Sequence, residues 1–293
     1  MERGVRVMSD TMLLLLLNGL IWGLIIALIA LGLSIIFGLL DIINIAHGDF
    51  FMVGTVLSWF VLQMTGDFWI GFLLVPLICF ILGALIQRVV IQPIQGAAAL
   101  SIVATFGLSL ILQEGVRMTF GPTPQRILPP VSGTVQIFGI AYDIYRLYAA
   151  VFAVAALAGF FFFLHRTKLG TWMRAVRHDP DTATAMGIPA GRIYILTFAI
   201  GFALAGFGGV VAAPITTVDF RGGVDLLPIC FIAVVIGGLG NLPGTAAAAV
   251  LLAVFEGGIQ SVASPTAARI ASLVLMSVVL LVRPQGLFKG YAR

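Results

Sequence analysis

Nine long apolar blocks, at about 12–39, 50–64, 68–87, 100–116, 148–164, 193–214, 226–241, 243–263 and 268–283, leave this 293-residue chain few folds to choose from. A helix that crosses a bilayer needs about 20 predominantly apolar residues, and most of the blocks approach that length. None alternates apolar with polar residues as a barrel strand must. Backbone groups facing lipid have to be bonded internally, so the expected fold is an all-α polytopic membrane protein of about nine or ten transmembrane helices. Composition agrees: 10% of the residues are charged and 60% hydrophobic, against about 25% charged in an average soluble domain. Mean hydropathy is +1.13.

Those numbers exclude several function classes. The net charge of +4 is what Lys- and Arg-rich cytoplasmic loops produce, so no nucleic-acid partner is expected; the partner implied is membrane lipid. Cys79 and Cys230 lie in apolar stretches and carry no disulfide or metal spacing. The apolar block after Ser9 runs on far beyond a signal-peptide core. No phosphate-binding loop, zinc-protease, hydrolase or kinase signature is present. The chain is therefore not expected to be an enzyme or to carry a cofactor or metal.

Two connecting segments are long. Residues 117–147 contain Pro122, Pro124, Pro129 and Pro130 and read as a structured surface loop with one strand-like piece at 135–140. Residues 165–192 carry Arg166, Lys168, Arg174, Arg177 and Arg192, which places them in the cytoplasm. Counting crossings from there puts Arg88 and the tail (Arg283, Lys289, Arg293) inside and 117–147 outside. Nine crossings put Arg3 and Arg6 outside, against the rule. Three short crossings within 12–64 would restore it, so nine and ten both stand at this point.

The 12–64 block also holds the densest polar insert: Asp41, Asn44, His47, Gly48 and Asp49, with apolar residues interleaved. Ionisable groups at membrane depth face a bundle interior or a water-filled cavity. On a continuous helix Asp41, Asn44 and Gly48 share a face with His47 beside it. Alternatively Gly48 breaks the helix and frees backbone groups for a solute, or 41–49 is a solvated loop. Glu256 has no cation within a helical turn and is a further candidate for a polar cavity, whereas Glu114 is explained by Arg117 three residues on. The glycines at 201–209 and 237–244 suit close helix packing. Within 165–192, Asp179 or Asp181 can cap a short helix that Gly187 ends, either a docking surface or an ordinary connector.

Four stretches together resemble the bacterial branched-chain amino acid ABC permease family, in its shorter H-type form. Ile43-Asn44-Ile45-Ala46-His47-Gly48-Asp49 is similar to its I-N-x-A-H-G-[DE] signature. Residues 174–188, with Arg174, Arg177, Asp179, Asp181, Ala183, Gly187 and Ile188, resemble its cytoplasmic coupling segment. Gly237-Gly238-Leu239-Gly240 through Gly244 resembles the family's G-G-x-G-x-x-x-G turn, and Arg283-Pro284-Gln285-Gly286 its C-terminal end. The matches run in family order. Where the general importer loop has Glu-Ala-Ala, this chain has Asp181-Thr182-Ala183, which shifts the acidic contact or shares it with Asp179.

The resemblance implies one transmembrane permease domain over 1–293 with an ABC importer permease fold, in a bacterial inner membrane. It implies a second homologous permease (a heterodimeric pore), two cytoplasmic ATP-binding subunits that hydrolyse ATP, and a periplasmic solute-binding protein. Residues 174–189 then dock on the ATPase, and the 41–49 insert with Glu256 lines the solute path. The expected cargo is a branched-chain or related amino acid; urea and short amides, carried by relatives with the same motifs, remain the alternative. From the residues alone a self-sufficient channel or secondary transporter using Asp41, His47 and Asp49 is the rival of another class.

Overall fold

The computed structural model describes residues 2–137 and 139–288, the side chains of 2–10 and 98 excepted. The charges at Arg3, Arg6, Lys289 and Arg293 thus lie outside what it describes. Helix α1 runs Glu2–Leu40, α2 His47–Thr65, α3 Phe68–Ile86, α4 Ala98–Phe120, α5 Ile144–Arg166, α6 Lys168–His178, α7 Pro180–Ala185, α8 Ala190–Ala212, α9 Gly222–Gly237, α10 Leu242–Gln260 and α11 Pro265–Val282. Helix α3 continues through a π-turn, Gln87–Ile91, and a 3-10 turn, Gln92–Ile94. Seven of these helices are long and apolar enough to cross a membrane; α2 and α9 are shorter or more polar.

Helix starts follow local chemistry. Asp67, Asp143, Thr167, Asp179, Asn241 and Ser264 each accept a hydrogen bond from a backbone N–H in the first turn of α3, α5, α6, α7, α10 and α11, satisfying donors that have no partner within the helix. The segment 117–147 holds a two-stranded hairpin, β1 Thr134–Ile137 antiparallel to β2 Ile140–Asp143, rather than one strand-like piece. Gly139, at φ 84°, allows the reversal within the stretch read as continuous.

Helix α1 is the central element. Residues Ile25 to Leu31 have no exposed surface, and α1 packs chiefly against α10 and α8. Helices α4 and α11 expose most of their apolar surface. The block 12–64 contains one long helix and then α2, with no third crossing. Asn18 and Leu15 of α1 lie beside the hairpin's Tyr142 and α10's Gly257. The start of α1 is thus at the same end as the Pro-rich loop, opposite the cationic segment 165–192. The odd count is the one the fold adopts.

Helix α1 stops at Leu40 because Asp41 takes the left-handed conformation, φ 56°, the sole non-glycine residue described with positive φ. The chain then doubles back into the bundle as a short irregular segment, 42–46, that ends in a turn at Ile45 and Ala46. Helix α2 begins at the level of Ile29, 11 residues before the end of α1, since His47 bonds the Ile29 carbonyl. It proceeds toward the Pro-rich end, Phe51 against Trp22 and Gly54 against Gly206. On the other side, 213–221 returns into the bundle from the Pro-rich end and α9 starts at Gly222. Helix α9 then runs to the cationic end, where Gly240 meets Gly38 and Arg177.

The N-termini of α2 and α9 therefore meet inside the bundle. A β-carbon on Gly48 would stand 2.2 Å from the Gly223 carbonyl oxygen. The sequence reading of Gly48 as a helix breaker is thereby corrected: Gly48 sits within the first turn of α2 and supplies closeness, while Asp41 supplies the break. The shared helical face expected for Asp41, Asn44 and Gly48 does not form for the same reason. The packing is approximately repeated with inverted direction. Helix α1 lies on α10 as α8 lies on α3, and α2 on α3 as α9 on α10.

Candidate functional site

The re-entrant segment and the first turn of α2 build the most polar part of the interior. Asn44 is fully buried and its Oδ1 accepts from Ala46 N at 3.1 Å, an Asx turn that bends the chain toward α2. Asn44 Nδ2 has no partner. The N–H of Ile45 donates to Thr105 Oγ1, 3.2 Å, and Thr105 donates to the Ser101 carbonyl, 2.8 Å. Asp49, 2% exposed, accepts from Gln113 Nε2 at 3.0 Å, and Gln113 also bonds Ser109 Oγ, 2.8 Å.

Ser101, Thr105, Ser109 and Gln113 recur every four residues, so they form one stripe along α4 facing the re-entrant segment. The sequence reading passed over this stripe, although the period-four run of small hydroxyls in an apolar helix is visible in the letters. What the letters lack is the partner: nothing local says that α4 lies against residues 43–49.

His47 faces the other way. A carbonyl can only accept, so His47 Nε2 carries the proton and donates to Ile29 O at 2.9 Å. Nδ1 is left without a partner. The ring lies 5.7 Å from Phe202 and close to Gly32, in a wedge between α1 and α8. Phe202 in turn stacks on Phe50 at 3.5 Å between ring centroids. Among the described residues no three His, Cys, Asp or Glu side chains come together.

The expected site residues thus separate into three places. Asn44, His47, Gly48 and Asp49 cluster around the start of α2. Asp41 is exposed at the end of α1. Glu256 is buried on α10 with Oε1 unpartnered, near the Pro-rich end, in a cavity with Asn18, Trp22 and Arg146.

At the opposite end, α6 and α7 form the predicted short helical segment. Asp179 caps α7 through Asp181 N and Thr182 N, both 3.0 Å. The hydroxyl and N–H of Thr182, bonded to the Asp179 carboxylate, hold it below the usual carboxylate range. Gly187, at φ 82°, ends the turn. Ala183 is buried against the bundle, whereas Asp181 and Met186 are exposed. Arg174 donates to the Leu164 carbonyl at the end of α5, and Arg177 lies over Gly38 and Gly240. Both arginines thereby fasten α6 to the bundle.

The profile of the family described as branched-chain amino acid transport system, permease component, matches residues 15–283. The chain belongs to that family. This permease is 30% identical over 291 residues to the high-affinity branched-chain amino acid transport permease LivH of Salmonella typhimurium, covering 92% of this chain and 93% of the relative. It is 29% identical to BraD of Pseudomonas aeruginosa, covering 93% and 94%. It is also 24% identical over 288 residues to LivM of Salmonella typhimurium, covering 89% and 67%. No solved structure matches it. The permease is a multi-pass protein of the bacterial inner membrane and the permease component of a transport system.

Proposed function

We propose that this permease is one half of the pore of an ATP-driven importer whose cargo is a branched-chain or chemically related amino acid. LivH and BraD, similar over nine-tenths of both chains, are named for that transport, and the similarity to LivM favours a second, homologous permease as the other half. The chain has no nucleotide-binding motif of its own, so two cytoplasmic ATP-binding subunits supply the energy. A periplasmic binding protein delivers the solute.

One observation carries the reading of the path: two helices begin at depth within the bundle, and the first is preceded by an irregular segment carrying Asn44. Irregular backbone at membrane depth occurs where it is buried in protein or lines a water-filled cavity. Asn44, Asp49 and the α4 stripe offer donors and acceptors along the same face. His47, wedged between α1 and α8, holds α2 in place beside that path. At the cytoplasmic end, α7 with exposed Asp181 and Met186 and the turn at Gly187 and Ile188 forms the surface that docks on the ATP-binding subunit. Arg174 and Arg177 keep that surface fixed to α5, α1 and the turn at Gly240, and Asp179 caps α7.

The test is uptake by the reconstituted assembly. The permease, its second permease, the ATP-binding subunits and the binding protein are placed in liposomes with ATP inside or outside. Leucine uptake that requires both ATP and the binding protein is the expected result. ATP-independent uptake by the single chain would sink the importer reading, and uptake of urea in place of leucine would overturn the cargo.

A further inference from the structure

The cavity beside Glu256 lies away from the start of α2 and is unexplained by the path described above. It has a volume of about 290 Å³, at the lower edge of the roughly 300–1,000 Å³ of small-molecule pockets. Its polar wall is formed by Asn18, Arg146, Thr216, Glu256 and Gln260, and its apolar wall by Leu15, Trp22 and Ile215. All stand near the hairpin end of the bundle, the side on which solute arrives.

Glu256 is 7% exposed, and its Oε1, buried in this wall, has no hydrogen-bonding partner. A carboxylate oxygen taken out of water without a partner is costly, and no ion pair with Arg146 relieves it. Arg146 is instead oriented by Asn18, whose Oδ1 accepts from Arg146 Nη1 and from the Tyr142 hydroxyl, each at 2.7 Å. A guanidinium has five N–H donors, so several remain for a ligand. Asn18 and Glu256 each adjoin a glycine at which α1 and α10 touch. A β-carbon on Gly19 would lie 2.6 Å from Ala253 O, and one on Gly257 2.5 Å from Leu15 O. The two polar groups are therefore held at a fixed spacing by backbone packing.

We infer that this cavity is a receiving site for a small zwitterion with an apolar side chain, its ammonium on Glu256, its carboxylate on Arg146 and its hydrocarbon against Leu15, Trp22 and Ile215. The proposal rests on the amino acid importer reading and makes that reading specific. A neutral amide such as urea would leave Glu256 uncompensated, whereas an α-amino acid satisfies both charges. An ethanolamine phospholipid headgroup carries the same pair of charges, so the test separates the two sources.

The full-length permease, purified with its partner permease, is placed in nanodiscs of phosphatidylcholine and phosphatidylglycerol, and radiolabelled leucine binding is measured. In competition, 4-methylpentanoate (no ammonium) and 3-methylbutylamine (no carboxylate) should be about ten- to a hundred-fold weaker than leucine, the scale of one charge-assisted hydrogen bond. Glu256→Gln should weaken leucine and the amine by a similar factor and leave the acid unchanged. Arg146→Gln should do the reverse for the acid and the amine. Equal effects on all three compounds, or none, would overturn the site. So would displacement of leucine by added phosphatidylethanolamine, which would assign the cavity to a lipid headgroup. ATP-driven leucine uptake by the complete wild-type transporter is measured in parallel. Its absence would count against the importer reading, while normal uptake with unselective binding would count against the cavity alone.

Discussion

Gly48 and Gly223 are in backbone contact, so close that a β-carbon on the first would stand 2.2 Å from the carbonyl oxygen of the second. That contact joins the two helices that begin inside the bundle, and through it the two inverted halves of the fold. Real β-carbons do not approach so closely, and the clashing atom is backbone, which cannot swing aside. Gly48→Ala should therefore destabilise the permease by about 1–3 kcal/mol, the usual cost of overpacking. Gly107→Ala, on a helix with nothing within 4 Å of the new carbon, should be neutral or stabilising by about 0.5–1 kcal/mol. Thermal unfolding in detergent compares them, and equal behaviour of the two variants would refute the contact.

Gln113 ties α4 to Asp49 at the start of α2. Gln113→Leu strips a donor from a buried carboxylate and should cost about 1–3 kcal/mol. The same change in an Asp49→Val background should cost much less, because no stranded acceptor remains. The coupling is read from a double-mutant cycle in chemical unfolding; additivity within about 0.5 kcal/mol would show that the bond contributes nothing.

Asp41 ends α1 in a left-handed conformation that glycine adopts freely and a β-branched residue resists. Asp41→Gly should leave the permease as stable or up to about 1 kcal/mol more so, and Asp41→Val should cost about 1–2 kcal/mol. A neutral valine variant, in the same unfolding measurement, would mean the turn is not set at this residue.

Asp179 caps α7, and its carboxyl titrates below its ordinary value of 3.8 because Thr182 bonds the charged form. A depressed carboxylate stabilises the folded segment above its unfolded pKa and loses that contribution as pH falls through the folded one. Amide exchange at Asp181 and Thr182 should thus lose protection below about pH 4 in the wild type. Asp179→Asn keeps a capping oxygen without the charge, so its protection should be flat across that range. A matching loss in both proteins would remove the carboxylate from the explanation.

Gly187 at positive φ terminates the same segment at an open surface. Gly187→Trp should abolish co-purification of the ATP-binding subunit while leaving the unfolding temperature of the membrane bundle nearly unchanged. Undiminished co-purification would exclude this turn from the docking surface.

Much of this was legible in the letters. The apolar blocks marked the helices, Asp179 marked the start of α7, and five cations placed 165–192. These features are local: a cap depends on three or four residues, and a bilayer reads hydropathy without regard to neighbours. The arrangement of helices was not legible, because a helix apolar on every side shows no face to orient it. Central α1 and the far more exposed α3 are alike in hydropathy, and the odd number of crossings depended on whether 12–64 bends once or twice. The left-handed turn at Asp41, the pairing of Asp49 with Gln113 and the meeting of Gly48 with Gly223 join residues 64 to 175 positions apart or turn on one backbone angle. The sequence by itself determined a family of membrane-crossing helices and the polar groups they carry. Tertiary structure decided which of those groups share a cavity, because without a hydrophobic drive between helices in lipid only close backbone packing and buried polar bonds choose the partners.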